Sequence, residues 1–195
     1  AKGSVGASGD LAPLAHMSLV MLGLGEATVD GVVLSGDQAL RTAQLQPITL
    51  QAKEGLALLN GTQIMTAFAV EALVRAQNLA RLADIAGAIT VESLLGTAVA
   101  FDERIQKARG FNDQIQVARN LRALMAESEI TASHANCDKV QDPYSSRCIP
   151  QVHGAARQAI RYAADVITTE LNAATDNPLI FWQDNDVLSG GNFHG

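Results

Sequence analysis

Apolar residues fill nearly every position of residues 11 to 24, which predicts a helix buried on all sides. Asp10 stands where an N-cap is wanted, and Pro13 falls in the first turn, where its missing N–H costs little. The pattern then changes to a short alternating run, TVDGVVL at 28 to 34, which reads as a hairpin turning at Asp30-Gly31. Ser35 or Asp37 can cap a short helix that ends before Pro47. A helical pattern occupies residues 51 to 86, broken only at Asn60-Gly61, two poor helix formers. Such a local conflict marks either a break between two helices or a functional site. Residues 113 to 126 form a further amphipathic helix, and 138 to 154, with Pro143 and Pro150, read as irregular. A long helix runs from Gln151 to Ala174 and stops in TDNP at 175 to 178. Residues 179 to 189 read as a second small hairpin. Strand content is too small for a βαβ sheet, so the expected fold class is mainly α.

Composition narrows the function. With 48% apolar and 17% charged residues, the chain of 195 residues is globular rather than disordered. A net charge of −6 argues against nucleic-acid binding, which needs a basic face, and 4% aromatics leave little for base stacking. No apolar run reaches the roughly 20 residues of a membrane span, so no membrane partner is expected. Cys137 and Cys148 have neither a metal-ligand spacing nor a disulfide framework, which fits a reducing cytoplasm and no metal. The chain begins inside a loop and stops at GGNFHG, which reads as a fragment of a longer protein.

The candidate chemistry lies in GSVGASGDLAPLAHM, residues 3 to 17. Ser8 is not in a nucleophile elbow, because Asp10 stands where G-x-S-x-G needs its last glycine. Gly3, Gly6 and Gly9 do not have the dinucleotide-loop spacing, and no Gly-Lys-Ser/Thr ending makes a P-loop. Two readings remain open. The stretch is a tight turn capping the helix, or a compressed loop in which the Gly9 amide nitrogen attacks the Ala7 carbonyl. Loss of two waters, one using the Ser8 hydroxyl, would then leave a methylidene-imidazolone ring, an electrophile made from the chain itself. Glycine suits the attacking position because no side chain blocks the approach.

The motif resembles the cofactor-forming motif of the aromatic amino-acid ammonia-lyases. LLNGTQ at 58 to 63, VQDPYSSRCIPQVHG at 140 to 154, NAATDNPLIF at 172 to 181 and SGGNFHG at 189 to 195 are similar to that family in the same order. The resemblance covers nearly the whole chain. Within the family the histidine-specific branch fits best, on ASGDLAPLAH, on Gln63 after Asn60-Gly61-Thr62, and on His194-Gly195 after Phe193. Two departures are Pro143, where that branch often has Ala or Ser, and Ser146, where the family usually has Leu or Ile.

The resemblance implies a long-helix bundle core of the ammonia-lyase/fumarase-like type, with small hairpins and the ring-forming (MIO) loop at the N-terminus. Residues 1–195 would be the central segment of a single larger helical lyase domain. The implied reaction is loss of ammonia from L-histidine to give urocanate. The alternatives are a phenylalanine or tyrosine lyase or aminomutase of the same family, or a catalytically silent helical assembly fragment. The ring would form autocatalytically from Ala7-Ser8-Gly9, with no external cofactor. Arg147 would pair with the substrate carboxylate, since a guanidinium makes a bidentate, charge-assisted contact. Tyr144 would present its hydroxyl to the ring or substrate. Gln141 and Asn60 would orient the amine and the ring oxygen, Phe193 would form an apolar wall, and Asp10 would support ring formation, cap the helix, or both. His16 and His153 read as packed, hydrogen-bonded histidines, and His194 is not a first choice of base. Family members place a general-base tyrosine and a substrate-selecting histidine before the ring motif and an acidic residue after Gly195. The isolated 195 residues should therefore be inactive. The implied assembly is a cytoplasmic homotetramer whose active sites are shared between chains.

Overall fold

Several of the short helices start where a side chain accepts a free amide. In the computed structural model, which describes Gly3 and residues 8–195, α1 spans Leu11–Met21. A hairpin follows, with β1 (Glu26–Val29) antiparallel to β2 (Val32–Ser35) and Val29 opposite Val32. Asp30 and Gly31 turn it with φ of 50° and 82°, the left-handed pair of a two-residue turn. Ser35 then opens α2 (Gly36–Thr42) through a capping box with Gln38. A single turn, α3 (Glu54–Ala57), precedes α4 (Gln63–Ser93), a helix of 31 residues.

A short 3₁₀ turn at Val99–Phe101 leads into α5 (Glu103–Arg109), capped by Asp102 and ended by left-handed Gly110. Then come α6 (Asn112–Leu124), α7 (Glu129–Ser133), α8 (Tyr144–Arg147) and α9 (Ile149–Leu171). Pro150 sits in the first turn of α9, where no amide bond is lost. A second hairpin pairs β3 (Leu179–Phe181) with β4 (Asp186–Leu188). The mainly α expectation holds, with only two two-stranded sheets among the described residues.

The chain divides into two compact units, residues 1–70 with 167–195, and residues 71–166. In the second, Ala88, Val91, Phe101, Val117, Ala118, Leu121, Met125 and Ile149 form the buried apolar core. Gly154 lets α9 approach α6, since a Cβ there would meet the Gln114 backbone at 2.7 Å.

Four expectations need correction. α1 is not buried on all sides: Pro13, Leu14 and Ser18 are buried, but Met17 and Met21 are exposed, as is His16. Apolar periodicity cannot say what covers a face. The helical pattern over 51 to 86 breaks at Asn60-Gly61 as the sequence indicates, but its first part forms only the single turn α3, and α4 continues past 86 to Ser93. The stretch expected to be irregular from 138 to 154 contains α8 and the start of α9, because Pro150 opens a helix rather than blocking one. Asp10 makes no side-chain capping bond to α1. Its carboxylate caps a different helix, described next.

Candidate active site

In the first unit the residues after Ser8 dock onto the break between α3 and α4. Asp10, wholly buried, donates its amide to the Gly61 carbonyl at 2.7 Å, and its Oδ2 accepts the Met65 amide at 2.7 Å. Met65 lies in the first turn of α4, so Asp10 supplies from a distance the acceptor that a helix start requires. Gly9 adopts φ of +79°, and a Cβ on it would meet the Gly61 nitrogen and oxygen at 2.8 Å. Only glycine fits that position. Ser8 is exposed, while Ala7 lies outside the described residues.

Asn60, also buried, donates from Nδ2 to the Asn177 carbonyl at 3.1 Å. The TDNP turn is the hub of this region. The Thr62 amide donates to Thr175 Oγ1 at 3.4 Å, the Thr62 hydroxyl bonds Glu170, and Lys53 pairs with Asp176. Asn177 Oδ1 accepts the Gly190 amide at 2.7 Å, and Asn192 Nδ2 donates to the Ala174 carbonyl at 3.2 Å. The structure thus gathers Gly9, Asp10 and Asn60, and links SGGNFHG to the same turn. Phe193 is half-buried. Sequence reasoning gave Lys53, Glu170, Thr175 and Asp176 no role. The quoted NAATDNP motif signalled Thr175 and Asp176; nothing in the sequence signalled Lys53 or Glu170.

In the second unit Gln141 and Arg147 line one cavity of about 460 Å³ with Thr97, Val99, Ile105, Asp142 and Gln151. Arg147 Nε donates to the Asp142 carbonyl at 3.1 Å. Tyr144, one turn earlier on α8, is 76% exposed. His153 Nδ1 lies 2.9 Å from Asp84 Oδ1, as expected of a packed, hydrogen-bonded histidine. No group of three or more metal-ligating side chains gathers among the described residues, and no described helix is long and apolar enough to cross a membrane.

In the first unit a glycine-asparagine turn lies beside an exposed serine. In the second, a guanidinium held by a main-chain carbonyl stands on a cavity wall. The sequence model of the aromatic amino acid lyase family matches residues 1–195, the whole chain. The chain belongs to the aromatic amino acid lyase family.

Similarity to individual known proteins agrees. The chain is 57% identical to the histidine ammonia-lyase of Anaeromyxobacter dehalogenans, covering 100% of this chain and 40% of that protein. The crystal structure of histidine ammonia-lyase from Trypanosoma cruzi superposes with a TM-score of 0.84 at 45% identity, over 100% of this chain and 35% of that one. Tyrosine aminomutase from Streptomyces globisporus gives a TM-score of 0.85 at 36% identity, over 98% of this chain and 40% of that one. The chain therefore spans about 40% of the length of the curated lyase it matches. The helical architecture expected from the resemblance is that of these two solved structures.

Proposed function

We propose that residues 1–195 are the central segment of a single larger helical lyase domain, and that the whole protein eliminates ammonia from L-histidine to give urocanate. The observation that carries this reading is the grading of identity. It is 45% to the solved histidine ammonia-lyase and 36% to the solved tyrosine aminomutase, at nearly equal TM-scores. Fold alone is shared by the branches, so the side chains distinguish them.

Ring formation from Ala7-Ser8-Gly9 is supported by the fit of Gly9. Its left-handed backbone against Gly61 excludes any side chain, and the Asp10 bonds to Gly61 and Met65 hold the end of the loop in place. The ring supplies an electrophile that makes ammonia a better leaving group. Arg147 binds the substrate carboxylate and Gln141 hydrogen-bonds beside it. Asn60, fixed by the Asn177 carbonyl, orients polar groups near Gly9. Tyr144 offers its hydroxyl to the reacting groups, and Phe193 packs against the substrate ring. The protein works in the cytoplasm as a homotetramer with sites shared between chains. Exposed apolar side chains support that assembly: Leu79, Leu82, Ile85 and Ile89 recur at helical spacing on α4, and Tyr162 and Val166 on α9. The 195 residues alone are inactive in this reading.

The test is turnover of L-histidine, L-phenylalanine and L-tyrosine by the full-length protein, together with its intact mass. Urocanate from L-histidine and a mass lower than encoded by two waters are expected, with both lost in Ser8→Ala. Ammonia from phenylalanine or tyrosine with L-histidine inert, or a β-amino acid product, would overturn the reading.

A further inference from the structure

The segment that carries Gln141 and Arg147 is held by one buried carboxylate. Asp142 is 5% exposed. Its Oδ2 accepts the Thr97 amide at 2.7 Å, and Lys139 Nζ lies 3.6 Å from its Oδ1. Its own carbonyl accepts Arg147 Nε at 3.1 Å. Gly96 makes the anchor possible: a Cβ there would lie 3.2 Å from Asp142 Oδ2 and 2.9 Å from the Val91 carbonyl. One residue therefore grips the loop after α4 with its side chain and orients a guanidinium with its main chain.

The consequence is geometric. With Nε bound to a fixed carbonyl, the guanidinium plane is set, and its two terminal nitrogens form the edge that a carboxylate would meet end-on. Thr97, Asp142 and Arg147 all line the same cavity, so a displacement of the anchor moves the guanidinium within the space a ligand would fill. A small misplacement of a charged contact is expensive for binding.

We propose that Asp142 is the positioning residue for Arg147, and that the Thr97–Asp142–Arg147 chain is what selects ligands by their α-carboxylate. This rests on the reading of Arg147 as the carboxylate partner. Asp142 itself touches no ligand in this account. Its carboxylate fixes the loop, and its carbonyl fixes the guanidinium.

The experiment compares L-histidine with its decarboxylated analogue in the full-length protein. KM for L-histidine and the inhibition constant of the analogue are measured for wild type, Asp142→Ala, Asp142→Asn, Asp142→Glu and Arg147→Ala. Removing a hydrogen-bonded buried charge should weaken L-histidine by roughly tenfold or more in Asp142→Ala. The analogue should bind as in wild type, because it has no carboxylate to lose. Asp142→Asn keeps an oxygen to accept the Thr97 amide and should retain most of the selection. If Asp142→Ala does not fold, Asp142→Glu provides the test, since one added methylene displaces the anchor while keeping its charge; it too should lose selection. Parallel weakening of both ligands, or no change in either, would overturn the proposal. If Arg147→Ala leaves the selection intact, the underlying reading of Arg147 fails and the proposal with it. If Arg147→Ala abolishes selection while Asp142→Ala and Asp142→Glu keep it, the positioning role alone fails.

Discussion

Gly9→Ala separates the packing demand at the ring-forming loop from its chemistry. Gly9 has φ of +79°, and a Cβ would stand 2.8 Å from the nitrogen and oxygen of Gly61, against the 3.4 Å where ordinary contact begins. Both atoms are backbone, so the strain cannot be relieved by a side-chain rotation. The left-handed conformation costs an alanine about 1–2 kcal/mol by itself. Relief of the contact must separate the two loops by several tenths of an ångström, which stretches the 2.7 Å bond from the Asp10 amide to Gly61, a loss of about 1 kcal/mol. The sum is about 2–3 kcal/mol. Gly31 is the control: its φ is +82° and a Cβ there meets nothing within 4 Å, so Gly31→Ala isolates the torsional part. Both changes are made in a Ser8→Ala background, where no ring can form, and compared by denaturant unfolding at constant m-value. Gly9→Ala should be the more destabilising by about 1 kcal/mol or more. Equal losses at the two positions would refute the argument that Gly9 is glycine because of Gly61. With Ser8 present, Gly9→Ala should also slow or abolish the two-water mass loss.

Two further expectations concern the second unit. Asp84, 2% exposed, accepts Asn120 Nδ2 at 2.7 Å, pairs with His153 at 2.9 Å and with Arg157 at 2.6 Å. Asp84→Ala would leave a largely buried guanidinium uncompensated and should destabilise the fold by about 3–5 kcal/mol by thermal or denaturant unfolding; a loss under 1 kcal/mol would sink this account. Asp102 caps α5 and hydrogen-bonds Arg104, which holds its carboxyl well below the usual carboxylate range. A lowered carboxylate contributes stability above its unfolded pKa and loses it as pH falls through the folded value. The melting-temperature gap between wild type and Asp102→Ala should thus be constant near neutrality and narrow only under strong acid; a gap that closes already near neutral pH would contradict it.

Much of the fold was legible in local pattern. The Asp30-Gly31 turn and the Ser35 cap follow from backbone preferences of a few adjacent residues, and the structure has them where the sequence predicts them. Helix content was equally legible, because a 3.6-residue apolar period needs no knowledge of what lies opposite. Helix ends were less so: Pro150 can end a helix or open one, and only the path of the chain from Tyr144 onward decided which. The ordered motifs also pointed to the family that the whole-chain match establishes.

What the sequence by itself determined was the set of residues with chemical promise: Ser8, Gly9, Asp10, Asn60, Gln141 and Arg147. What only the tertiary structure decided was their partners. Asp10 lies next to α1 in sequence, yet its carboxylate accepts an amide 55 residues away, at the start of α4. Asn60 is held by the Asn177 carbonyl, and the loop of Arg147 by the Thr97 amide through Asp142. The physical reason is the same in each case. Propensity and periodicity act over a few residues, whereas a buried polar group takes whichever partner the folded backbone brings within 3 Å or so. Hydrogen bonds of that kind leave no period in the chain.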